Sequence, residues 1–93
     1  MKLEAAIQNG YQILQKNDIK TALLDSEILL SVAINKSREY IILNSDLDIS
    51  NKEYIYYQKM INQRSKGKPI AYLTEKKFFW KHEFYVNNKV LIP

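Results

Sequence analysis

Between Ile28 and Ile34 the only polar side chain is Ser31, so a helix over these residues is apolar nearly all round. A surface helix carries one apolar stripe, whereas a helix that is apolar on every side has to be surrounded. This run, extended back to about Thr21, therefore reads as the central helix of a bundle. Asn35-Lys36 ends it, and the rest of the chain must supply its walls.

Those walls are also legible as helices. Leu3, Ala6, Ile7, Tyr11 and Leu14 follow the i, i+3, i+4 spacing of one helical face. Gly10 falls on the same face, where it costs helix propensity and permits close approach of a neighbour. Asn17-Asp18 is a natural break, and Ser37 can cap a short third helix holding Tyr40, Ile41 and Leu43. Ser50-Asn51-Lys52-Glu53 has the spacing of a capping box, in which each end residue satisfies an orphan backbone N–H of the other. Ile49 and Tyr54 take the hydrophobic-staple positions, and Tyr54, Tyr57, Met60 and Ile61 supply that helix's inner face. Gly67 suits the left-handed position past its end, and Pro69 prevents continuation.

After Pro69 the texture changes. Phe78-Phe79-Trp80 and Phe84-Tyr85-Val86 are aromatic and β-branched runs separated by Lys81-His82-Glu83, which predicts a hairpin near 76–87. Asn87-Asn88 is a further turn signal before Val90-Leu91-Ile92. The expected fold is mostly α: four or five helices within residues 2–67, followed by a short C-terminal β-hairpin. The expected division is a helical domain at 1–68 and a connector at 69–93. A lone hairpin is marginal in water. It has to pack on the bundle or on a domain beyond Pro93, and stopping after an apolar run gives the chain the look of a cut piece.

Composition narrows the chemistry. The 93 residues suffice for one small domain. Without cysteine there is no disulfide, thiolate ligand or Cys nucleophile, which fits a reducing compartment. No apolar run reaches the ~20 residues that span a bilayer, and the N-terminus reads as a helix and not as a signal peptide. A soluble cytoplasmic protein is expected. The only glycines, Gly10 and Gly67, cannot form a Gly-rich phosphate loop, and the single histidine, His82, cannot supply a multi-histidine metal site. Asp25 and Glu27 open the central helix but stand two residues apart, so they point to different faces. They read as ion-pair partners and not as general acid and base, and Arg64 is placed to pair with one of them. The seven tyrosines read as core and rim aromatics more than as a base-stacking platform.

Charge is unevenly placed. Residues 1–58 carry six basic and eight acidic side chains. Residues 59–81 carry Lys59, Arg64, Lys66, Lys68, Lys76, Lys77 and Lys81 against Glu75 alone. Such a zone can attract an anionic partner. It can also serve only to complement a helix C-terminus and protect strand edges.

Two stretches resemble a known family. Arg64-Ser65-Lys66-Gly67-Lys68-Pro69-Ile70-Ala71-Tyr72 is similar to the R-x-x-G-x-P-x-x-Y segment of the release-factor glutamine methyltransferases, the HemK/PrmC family. Phe79-Trp80, Phe84-x-Val86 and Val90-Leu91-Ile92-Pro93 resemble that family's F-W…F-x-V…V-L-I-P stretch, and Asp25-Ser26-Glu27-Ile28-Leu29-Leu30 more weakly its D-A-E-L-L-L helix. Glu75 and Lys81 stand where the family usually has glycine, and its paired arginines are reduced to Gln63-Arg64.

The resemblance implies a parent enzyme that transfers a methyl group from S-adenosylmethionine to the glutamine amide of the Gly-Gly-Gln loop in peptide chain release factors. The family's Gly-rich cofactor loop and Asn-Pro-Pro-Tyr motif match nothing in residues 1–93. No catalytic, cofactor or metal residue is therefore expected here, and the fragment alone is expected to be inactive. Its implied task is substrate recognition. Arg64, Lys66, Lys68, Lys76 and Lys77 are the candidate partner-binding residues. Phe79, Trp80 and Phe84 are candidates for packing against the parent's own methyltransferase domain, or against the fragment's own helices. Two rivals remain open: a small basic RNA- or ribosome-binding helical module, suggested by the cationic zone, and a stand-alone helical adaptor.

Overall fold

A computed structural model describes residues 1–75, which form five helices in sequence. They are α1 (Leu3–Lys16), α2 (Ala22–Ile34), α3 (Arg38–Leu43), α4 (Asn51–Ser65) and α5 (Ile70–Glu75). Helix α2 packs against all four others. Its Leu29, Leu30, Val32, Ala33 and Ile34 are buried, as an apolar central helix requires. One strip stays open, because Leu23 and Leu24 near its start are exposed and Ile28 and Ser31 are half-buried. No strand occurs among the described residues, where Lys2 and Asp48 make an isolated antiparallel bridge. The expected hairpin at 76–87 lies outside them.

The helix starts follow local chemistry. The Ser50 side chain accepts from the Glu53 amide, and the Glu53 carboxylate accepts from the Ser50 amide, completing the capping box of α4. Ser37 accepts from the Tyr40 amide at the front of α3. Helix α1 begins without a side-chain cap. Its first amides, those of Leu3 and Glu4, donate instead to the carbonyls of Leu47 and Ser45 in the loop before α4. This long-range solution to the orphan N–H problem has no local sequence signature.

The three longer helices share one ending. Asp18, Asn35 and Gly67 have φ of 63°, 60° and 105°. After each, the following amide reaches back five residues: Ile19 to Leu14, Lys36 to Ser31 and Lys68 to Gln63. These are Schellman motifs, which absorb the unpaired carbonyls of a helix end by turning the chain left-handed.

The fifth helix revises the expected helical range of 2–67. Pro69 ends α4, yet it also precedes α5, and its carbonyl accepts from the Leu73 amide. Proline is tolerated at a helix start because the N–H it lacks would have no intrahelical partner there. Leu73 is fully buried and anchors the short helix, which packs against α2 and α4. Helix α5 thus lies on the connector side of the boundary drawn from sequence at residue 68. The inner face of α4 also differs from expectation. Met60, Ile61 and Tyr57 are buried as anticipated, but Tyr56 is buried too, while Tyr54 is half-buried. Because α1, α2 and α5 all touch α4, its buried face must be wider than one helix contact.

A buried polar contact joins α1 to α4. The Tyr57 hydroxyl donates to the Ala6 carbonyl at 3.0 Å. It can come that close because Gly10, one turn on, has no side chain: a Cβ there would collide with the Tyr57 hydroxyl and lie 2.9 Å from Ile61 Cδ1. Burial pushes the Tyr57 phenol well above the usual range, with Tyr54 adding to the shift and the neighbouring Ser26 hydroxyl opposing it.

Two outcomes follow from this contact. Gly10→Ala gains up to about 1 kcal/mol in helix propensity. It should nonetheless destabilise the bundle by about 1–3 kcal/mol, because the obstructing ring is pinned in the core. In Gly10→Ala/Tyr57→Phe the two penalties should fall short of additive in urea unfolding, since the second change removes the colliding atom. The second outcome concerns pH. An unfolded tyrosine ionises near about pH 10, where the folded Tyr57 keeps its proton. Below that pH neither state titrates here; above it the unfolded chain binds fewer protons, so stability falls as pH rises. Tyr57→Phe should flatten the decline above about pH 10, and an equal slope in both proteins would contradict this account.

Candidate functional site

The stretch that begins at Asp25 and the one that begins at Arg64, both similar to one family's motifs, meet at the C-terminal end of α4. Arg64 Nε donates to Asp25 Oδ2 at 2.8 Å, and its Nη1 donates to the Lys68 carbonyl at 2.9 Å. Thr21, one turn before Asp25, donates its hydroxyl to the same carboxylate oxygen at 2.9 Å. The Asp25 side chain is 4% exposed and that of Arg64 18%. This is a shielded, charge-assisted cluster and not a surface ion pair.

Of the two partners the sequence allows for Arg64, the structure selects Asp25. Glu27, on a different face, pairs with Arg38 at 2.9 Å, and that arginine side chain is 46% exposed. Thr21 was not legible as a member of the cluster; the signal available was its spacing of four residues from Asp25. The role of the Lys68 carbonyl has no side-chain signature at all.

The cationic zone divides around this cluster. Arg64 is turned inward, whereas Lys59, Lys66 and Lys68 are exposed. The Lys68 ammonium lies 4.7 Å from the centre of the Tyr72 ring, which is itself exposed. Lys76, Lys77, Phe79, Trp80 and Phe84 lie outside the described residues. Among the described residues no group of three or more His, Asp or Glu side chains is placed to hold a metal, and no helix is long and apolar enough to cross a membrane.

Fold and junction together define a small helical domain whose C-terminal end is clamped by an internal ion pair. The chain belongs to the PrmC N-terminal domain family, whose model matches residues 5–74. It is 38% identical over 87 residues to the release factor glutamine methyltransferase of Leptospira interrogans, covering 94% of this chain and 30% of that protein. To the protein of the same name from Clostridium acetobutylicum it is 37% identical over 93 residues, covering 100% of this chain and 33% of the relative. The bifunctional methyltransferase of Rickettsia felis is 40% identical over 80 residues, covering 86% of this chain and 15% of that protein. The chain thus spans 33% or less of the length of these curated relatives. No solved structure gives a significant match.

The two ion pairs should respond differently to truncation. Arg64→Ala leaves the enclosed Asp25 carboxylate without its charge partner and should cost about 3–5 kcal/mol. Arg38→Ala removes a half-exposed partner and should cost under about 1 kcal/mol. Denaturant midpoints at constant m-value measure both; similar losses would show that Asp25 finds compensation elsewhere.

Proposed function

We propose that this chain is the substrate-recognition domain, with the start of its connector, of an S-adenosylmethionine-dependent methyltransferase acting on the Gly-Gly-Gln glutamine of peptide chain release factors. The observation that carries the reading is the family match over residues 5–74, together with relatives that bear that enzyme's name. A glutamine amide nitrogen is a poor nucleophile, so much of the barrier reduction has to come from holding the substrate in place. A separate domain that grips the release factor at a distance from the reacting amide contributes to that placement. On this reading the fragment itself is not catalytic, the cofactor binds beyond residue 93, and the enzyme works in the cytoplasm.

The division of labour within the chain follows from the charge pattern. Lys66 and Lys68 are exposed at the end of α4, and Lys76 and Lys77 continue the same zone in sequence. They steer an acidic face of the release factor, while Arg64 serves the bundle. Phe79, Trp80 and Phe84 pack the connector against the methyltransferase domain. Electrostatic steering acts mainly on association rate.

Neutralising Lys66, Lys68, Lys76 and Lys77 in the full-length enzyme should raise the KM for the release factor several-fold, by about the factor expected for lost steering. It should leave kcat nearly unchanged, and the effect should vanish at high salt. An unaltered KM at low salt would reduce these lysines to solubilising charges. Inhibition by added RNA would instead support the nucleic-acid reading of the zone.

A further inference from the structure

We propose that Arg64 is a positioning residue: it fixes the direction in which the chain leaves the bundle, and so the placement of whatever follows α5. The proposal rests on the reading of residues beyond 69 as a connector, and it stands on three geometric facts. First, Arg64 bridges α2 and the turn after α4, through Asp25 Oδ2 at 2.8 Å and the Lys68 carbonyl at 2.9 Å. Second, the turn it holds contains Gly67 at φ 105°, with nothing within 4 Å of where a Cβ would stand. A glycine in open space adds no steric restraint of its own, so the turn rests on its two backbone bonds, on Pro69 and on the Arg64 contact. Third, α5 is six residues long, far below the length at which an isolated helix persists, and needs tertiary support.

Leu73 supplies part of that support by its burial, and the guanidinium adds to it at the turn because its donors form a rigid fork. One arm is held by a carboxylate that Thr21 orients, and the other reaches a main-chain oxygen on the far side of the turn. A lysine can neutralise Asp25, but as a single point charge it cannot hold both acceptors in this geometry. The fork therefore separates two roles: charge compensation, which stabilises the bundle, and bridging, which orients the exit. The arrangement also gives the stretch from Asp25 and the stretch from Arg64 one physical purpose. The acid of the first and the arginine of the second are halves of a single clamp, and the glycine and proline that follow are what it clamps.

The test uses the 93-residue chain and needs no release factor, so its failure is independent of the assigned activity. Amide exchange at Leu73, buried on α5, is compared with exchange at Leu14 in the core of α1 by NMR, in the parent chain, Arg64→Lys and Arg64→Gln. In Arg64→Lys the melting temperature should stay close to the parent's, while Leu73 exchange accelerates about tenfold relative to Leu14, through local opening of α5. Arg64→Gln should lower the melting temperature and accelerate Leu73 as well; if it does not fold, the lysine variant alone decides. An unchanged Leu73 to Leu14 ratio in Arg64→Lys would overturn the proposal, because α5 would then open only with the whole bundle. A lysine variant that melts as low as the glutamine variant, with that ratio still unchanged, would also overturn it by reducing Arg64 to a stabilising ion pair.

Discussion

Helix α2 cannot face water on most of its circumference, and this one constraint organises the bundle. Leu29, Leu30, Val32, Ala33 and Ile34 leave it no polar side broad enough for solvent, so α1, α3, α4 and α5 are arrayed around it. Burying such a side chain contributes about 1.5–3 kcal/mol, which is large against the net stability of a small domain. The strip left open holds Leu23, Leu24, Ile28 and Ser31.

A core built this way leaves little room for polar groups, and the few that enter it are bonded. Ser26 donates to the Ala22 carbonyl, Tyr57 to the Ala6 carbonyl, and Asp25 accepts from both Thr21 and Arg64. Each is a group whose isolation would cost more than its pairing gains. Two of these contacts tie together helices distant in sequence, where apolar packing alone would tolerate small shifts of register. The hydroxyl of Tyr57 and the guanidinium of Arg64 sit on the same helix, one gripping α1 and the other α2.

Most of the helical architecture was legible in the sequence because its determinants are local. The Ser50 to Glu53 capping box, the Ser37 cap, the left-handed Gly67 and the apolar run of α2 act within a turn or two of chain. The close approach at Gly10 was legible as permission, while its occupant, Tyr57, was not. What escaped was set by partners remote in sequence. Helix α5 depends on Leu73 finding the bundle, Tyr56 is buried because α4 is enclosed by three neighbours, and the front of α1 is capped by loop carbonyls. For the candidate site, the Arg64 to Asp25 pair could be narrowed to two choices from helix placement. Choosing between them required knowing which face of α2 meets α4.

The contact between Tyr57 and Ala6 has one more consequence, for the way the chain finds its fold. The reversals between successive helices are short, and those after α1, α2 and α4 are closed by backbone bonds within a single turn. The Tyr57 to Ala6 bond instead joins residues 51 positions apart. Closing a loop of that size costs about 2 kcal/mol more in chain entropy than closing one of four residues. The seat prepared for Tyr57 by Gly10 rewards that closure only in the correct register. The first and fourth helices are thereby held to one alignment, although a long stretch of intervening chain would let them slide.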